Sequence, residues 1–184
     1  MLCIIAELNF SAILTRKELV VMSYNIYVDR KPDSQDKSIE YWAFVVEGQR
    51  FHFHRSFKVP AQDNAKLAYL QYCNEAFMQI SHLVNNNILP RADFVFTTTK
   101  KTLAGYLSYF AGDEANGIKP PKEYFEAAYN AYLSLENLTC PYAIAYSSWA
   151  TRAKTFATEG YYKAQMQELK QANSEKAIDA FKNL

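Results

Sequence analysis

A chain of 184 residues with a net charge of +1, 49% hydrophobic and 15% aromatic residues and only 5 glycines has the composition of one folded domain with a ring-rich core. Disorder is excluded, and any affinity for a polyanion has to come from a local patch rather than from overall charge. Three cysteines, Cys3, Cys73 and Cys140, are an odd number without a CxxC spacing, which argues against a disulfide framework or zinc knuckle and for a reducing, cytoplasmic setting.

Residues 1–21 have the pattern of a short amphipathic helix, with Ile4, Ile5, Leu8 and Leu14 apolar. The apolar run 1–14 is broken by Glu7 and Asn9, lacks a basic start and is too short to span a bilayer, so no membrane segment or export signal is expected. Met22 offers an alternative reading as a second start, which would place the extension 1–21 upstream of the true start.

Three strand-like runs follow closely. Residues 24–29 are aromatic and β-branched and end in Asp29, before a polar turn from Arg30 to Ser38. Residues 39–47 carry Tyr41, Trp42, Phe44, Val45 and Val46 and meet Gly48-Gln49, which folds the chain back as a hairpin. Residues 51–59 alternate, with Phe51, Phe53, Arg55, Phe57 and Val59 on one face and His52, His54, Ser56 and Lys58 on the other, until Pro60 ends the run. Asp63 or Asn64 then caps a helix reaching about residue 83, with Leu67, Leu70, Cys73, Phe77, Ile80 and Val84 at three- and four-residue intervals. Asn85, Asn86, Asn87 and Pro90 break it. Residues 93–98 read as a buried parallel strand, Thr98 or Thr99 as the cap of a helix over 100–110, and Pro121 as the first turn of a helix to about 135. Residues 140–147 read as a fifth strand, 161–171 as a helix and 174–182 as a last short helix.

This order predicts an α/β domain with a mixed five-stranded sheet, in which an antiparallel meander is extended by two parallel strands through right-handed helical crossovers. Together with a first strand of the type Ile-Tyr-Val-Asp and Asn64 before the long helix, it resembles the ribonuclease H-like superfamily. The resemblance implies one such domain over 22–172 and a C-terminal helix over 173–184.

Members of that family that cut nucleic acid use two metal ions between carboxylates of the first strand, the first helix, the end of the fourth strand and the last helix. Two divalent ions about 4 Å apart need several acidic ligands. Asp29 fills the first position. The helix position falls at Lys66 or Leu67, the fourth-strand position at Thr98 or Thr99, and the last-helix position has Glu159 nearby. Arg30-Lys31 replaces a small glycine-containing turn. The resemblance therefore implies a protein with a degenerate metal site, without a cofactor, acting by binding nucleic acid or a partner in a nucleic-acid pathway. The alternative is a divergent nuclease in which Asp29, Asp93 and Glu159 act with Mg²⁺ or Mn²⁺.

Other residues admit chemistry of their own. His52 and His54 have the spacing of two metal ligands on one strand face, with His82, Asp93 and Glu75 as further candidates, although two solvated histidines on a half-exposed sheet fit the pattern as well; Asp29 is the candidate metal ligand that the family resemblance implies. Arg50, Arg55, Lys58, Lys100 and Lys101, interleaved with rings, are candidate phosphate contacts, set against ordinary core packing of the rings. Cys73 lies on an apolar stripe and reads as a buried thiol. Tyr124, Phe125, Tyr129 and Tyr132 recur at helical spacing, either as core or as a face for a protein partner or a second copy, and a structural interaction protein is the third functional expectation.

Overall fold

The computed structural model describes residues 23–49, 51–148 and 155. The N-terminal extension, Arg50, Glu159 and the two predicted C-terminal helices lie outside the described residues.

Strand β1 (Ser23–Pro32) pairs antiparallel with β2 (Ile39–Glu47), which pairs antiparallel with β3 (His52–Pro60). Helix α1 (Ala65–Asn85) leads to β4 (Asp93–Thr98), parallel to β1. Helices α2 (Lys101–Phe110) and α3 (Lys122–Glu136) lead to β5 (Tyr142–Tyr146), parallel to β4. The five-stranded order is β3-β2-β1-β4-β5. Both crossovers step the same way across the sheet, so right-handed connections put the three helices on one face.

Two expectations need correction. Asp29 does not end the first strand. Arg30, Lys31 and Pro32 continue the ladder opposite Trp42, Tyr41 and Glu40, because Arg30 finds a carboxylate across the strands in Glu40. The turn is confined to the residues after Pro32, where the Asp33 carboxylate accepts the backbone N–H groups of Gln35 and Asp36. Neither Thr98 nor Thr99 is the N-cap of α2. That position is Lys100, without a side-chain cap, because Thr98 still belongs to β4 and its hydroxyl is engaged below the sheet end.

Asn64 is the N-cap of α1, its side chain accepting from the N–H groups of Lys66 and Leu67. At the other end Asn87 adopts φ 56°, and the Asn87 and Ile88 N–H groups return to the Val84 and Leu83 carbonyls, a left-handed closure that asparagine tolerates. Between these ends Leu70, Cys73, Phe77, Ile80 and Val84 bury completely with Ile26, Val28, Phe44, Phe94 and Phe96 of the sheet. Phe77 meets Phe96 edge-on at 5.0 Å, and the Trp42 ring lies between Phe57 at 4.4 Å and Tyr72 at 5.0 Å. Helix α3 approaches α1 on its alanines, Ala128 and Ala131, and Ser134 donates to the Asn74 side chain at 2.7 Å.

Gly105 sits mid-helix in α2 for a steric reason. A Cβ there would lie 2.6 Å from Ile118, whose N–H is bonded to the Gly105 carbonyl at 2.8 Å, so the loop cannot easily retreat. Gly105→Ala is expected to lower stability by about 1–2 kcal/mol despite alanine's better helix propensity. Thermal unfolding of the variant checks this, and a stability equal to or above the parent's would contradict it.

Candidate functional site

Strand β4 ends level with Val28 of the parallel strand β1, at the point where the chain order reverses, β2 and β3 lying on one side and β5 on the other. Crevices outside strand carboxyl ends at such a reversal are common ligand sites. A cleft of about 460 Å³ opens here, lined by Asp29 and Arg30 of β1, Ala65, Lys66 and Tyr69 of α1, Thr99 and Lys100 before α2, and Leu103.

The floor is a chain of hydrogen bonds. Tyr69, 3% exposed, donates its hydroxyl proton to the Val28 carbonyl at 2.7 Å. That proton being used, Thr98 must donate in the 2.7 Å contact between the two hydroxyls, and Thr98 Oγ1 in turn accepts the Lys100 N–H at 3.1 Å. One buried tyrosine thus ties β1 at Val28 to the end of β4 and, through Thr98, to the start of α2. Burial pushes the Tyr69 hydroxyl and the Cys73 thiol well above their usual ranges, with the Asp29 charge adding to both, so each stays neutral near pH 7. For Cys73 this agrees with an inert structural thiol.

Asp29 is 8% exposed and one of its oxygens accepts the Arg30 N–H at 2.8 Å. Arg30 Nη1 is paired with Glu40, itself 1% exposed, and Tyr72 donates its hydroxyl to the other Glu40 oxygen. Burial and then the Glu40 bond raise the Tyr72 pKa, keeping it a donor. The guanidinium is therefore held by Glu40, while Arg30 contributes to the cleft lining. Lys66 and Lys100 are exposed at the rim, Lys66 with its ammonium 5.8 Å from the Tyr124 ring.

The positions that the family resemblance pointed to, Asp29, Lys66 and Thr99, do come together, with Lys100 beside them. Other predicted residues do not join them. Asp93 opens β4 opposite Ser23, at the far end of the sheet and about 20 Å from Asp29 at a strand's rise per residue. His52 and His54 have ring centroids 5.5 Å apart on edge strand β3, with His52 Nδ1 3.9 Å from Glu47. The register sets Asp29 against Ala43 and Ala43 against Ser56, so these rings lie two strands away from Asp29, roughly 10 Å across the sheet before the offset along β3 is added. Among the described residues no three histidine, cysteine, aspartate or glutamate side chains form a metal-holding group. Arg55 is bonded to Gln79 at 3.2 Å and, with Lys58, belongs to β3, three strands from Lys100. Among the described residues the predicted basic side chains therefore make no single patch, and Lys101 is exposed next to Lys100.

Local sequence pattern does not mark Tyr69, Tyr72 or the pairing of Arg30 with Glu40. A signal for Glu40 was present, since it shares strand parity with Trp42, Phe44 and Val46, and an acid on a buried face needs a partner.

The described cleft residues supply one carboxylate surrounded by three cationic side chains. Two divalent ions require several oxygen ligands and are repelled by such neighbours, so these residues do not fit the two-metal group of the family's nucleases. Among the described residues no helix is long and apolar enough to cross a membrane.

No family model and no curated protein matches the chain. Solved structures give distant likenesses. A prototype foamy virus protease-reverse transcriptase is 12% identical with a TM-score of 0.49, covering 77% of this chain and 21% of that one, so the chain spans about a fifth of that protein. The foamy viral protease-reverse transcriptase in complex with dsDNA includes a chain 15% identical, TM-score 0.48, with coverages of 78% and 95%. The solution structure of the prototype foamy virus RNase H domain is 11% identical, TM-score 0.43, with coverages of 77% and 94%. The strand order and directions make the fold ribonuclease H-like.

Proposed function

We propose that the chain binds nucleic acid through its phosphate backbone at the cleft between β1, α1 and α2, without the metal-dependent cleavage of active relatives. The observation that carries this reading is the replacement chemistry of the cleft. Lys66 and Lys100 stand at the rim, and Arg30, fixed by Glu40, stands at the wall, where the family's nucleases gather acids. Arginine held by a buried carboxylate presents its remaining donors in a fixed geometry suited to a phosphate, and lysines add charge that follows the backbone.

Binding of single-stranded, double-stranded and hybrid oligonucleotides measured across salt concentration tests the reading. Lys66→Ala and Lys100→Ala are each expected to weaken binding regardless of base sequence and to reduce the slope of log K against log salt by about 1. Arg55→Ala, on the distant edge strand, is expected to leave that slope unchanged. Absence of binding to all three forms at low salt, or an unaltered slope in the Lys66→Ala, Lys100→Ala double variant, would refute it.

A second reading, a divergent nuclease, is favoured by the burial of Asp29 inside the cleft. Cleavage of an RNA/DNA hybrid that needs Mg²⁺ or Mn²⁺ and is lost in Asp29→Asn would support it over the first.

A further inference from the structure

The face of α3 turned from the core carries side chains that the fold leaves in solvent. Phe125, Tyr129 and Leu133 are 40%, 42% and 38% exposed, whereas Tyr124, Ala128, Ala131 and Leu135 on the opposite face are buried. At 3.6 residues per turn Lys122, Phe125, Tyr129, Tyr132, Leu133 and Glu136 fall within about 100° of arc, one continuous stripe. Its rings are held from the side by Phe110 of α2, whose centroid is 5.1 Å from Phe125, 5.2 Å from Tyr129 and 5.9 Å from Tyr132. A ring cluster braced in this way loses little freedom when it is covered, which favours binding.

The stripe complements itself when reversed. Phe125 and Leu133 lie equally far from Tyr129 along the helix, and so do Lys122 and Glu136. A second α3 laid antiparallel about a two-fold axis at Tyr129 places Phe125 against the partner's Leu133 and Lys122 against the partner's Glu136, twice over by symmetry. The Tyr132 and Tyr142 hydroxyls both donate to Glu136, fixing the carboxylate at the end of the stripe. Antiparallel helices also set opposite dipole ends together. Glu126, next to Leu133 around the helix, disfavours a polyanion on this face.

We propose that α3 is a self-association surface, pairing with α3 of a second copy in antiparallel register about Tyr129. The surface is separate from the cleft and does not depend on what the cleft binds.

Analytical ultracentrifugation of the full chain over a range of concentrations tests this, with circular dichroism melts confirming that each variant is folded. The parent is expected to dimerise with increasing concentration, and Tyr129→Glu to weaken the dimer about tenfold or more, as loss of a central interface ring does. Lys122→Glu alone and Glu136→Lys alone each set like charges together across the two-fold axis and are expected to dissociate. An equimolar mixture of the two restores opposite charges at both ends and is expected to associate again. A parent monomeric throughout, a dimer undisturbed by Tyr129→Glu, or a mixture no more associated than its components would overturn the proposal.

Discussion

Arg30→Met is expected to destabilise the protein by about 3–5 kcal/mol, the cost of leaving a buried charge without its partner. Glu40 is 1% exposed and belongs to a strand whose other residues from Tyr41 to Val46 are all buried. Its carboxylate has Arg30 on one oxygen and Tyr72 on the other. A neutral tyrosine hydroxyl alone does not balance a carboxylate in such surroundings, whereas methionine keeps most of the arginine's bulk, so the loss is one of charge more than of packing. Removing both charges in Arg30→Met, Glu40→Leu is expected to recover most of the stability, because neither half of the pair is then left inside without the other. Urea unfolding of the parent, both single variants and the double variant closes this cycle. A loss under about 1 kcal/mol in Arg30→Met would mean that the pair behaves as a solvated surface contact. The same arginine stands at the cleft wall, so the double variant, stable but lacking this cation, is also expected to bind oligonucleotides less tightly than the parent.

This pair marks the limit of what the sequence showed. The bounds of β2 and β4 were legible because apolar runs bracketed by turn residues leave few alternatives, and Asn64 was legible as a cap because a polar residue before a three-and-four repeat has a local role. Asp29, Lys66 and Thr99 were brought to one place by the family resemblance, and the cleft holds all three. Over a short window Arg-Lys-Pro is polar and broken and has the pattern of a turn. Its strand character is decided by Glu40, ten residues on, through a cross-strand register that local pattern does not contain. Asp93 opens β4 whereas the site lies at that strand's end, so the parallel register carries this acid away from Asp29. The aromatic residues of α3 were one group in the sequence and are two in the structure. Tyr124 turns inward onto Tyr106 at 6.1 Å, while Phe125 and Tyr129 stay outside. Nor did anything single out Tyr69 and Tyr72 among 14 tyrosines, since the hydroxyl's partner, not the ring, makes them different.

Tyr69→Phe is expected to cost about 2–3 kcal/mol although it removes a single oxygen, because the deleted hydroxyl serves two buried groups at once. The Val28 carbonyl loses its side-chain donor and the Thr98 hydroxyl loses its acceptor, both deep enough that water does not readily replace them. Phenylalanine fills the same space, so no cavity contributes and the loss measures the hydrogen bonds alone. Thr98→Val is expected to be destabilising through a different group, since the Lys100 N–H then loses its acceptor while Tyr69 still reaches Val28. If the three bonds act as one tie, the double variant falls short of the sum of the singles, and hydrogen exchange at the Lys100 amide quickens in both singles. If the effects add fully and the Lys100 amide is unaffected by Tyr69→Phe, the hydroxyls act independently and the tie does not hold the cleft. Where it does hold, Tyr69→Phe loosens the link between the end of β1, which carries Asp29 and Arg30, and the start of α2, which carries Lys100. Its oligonucleotide affinity should then fall without any residue at the cleft rim having changed, the result expected of a positioning residue beneath a binding surface.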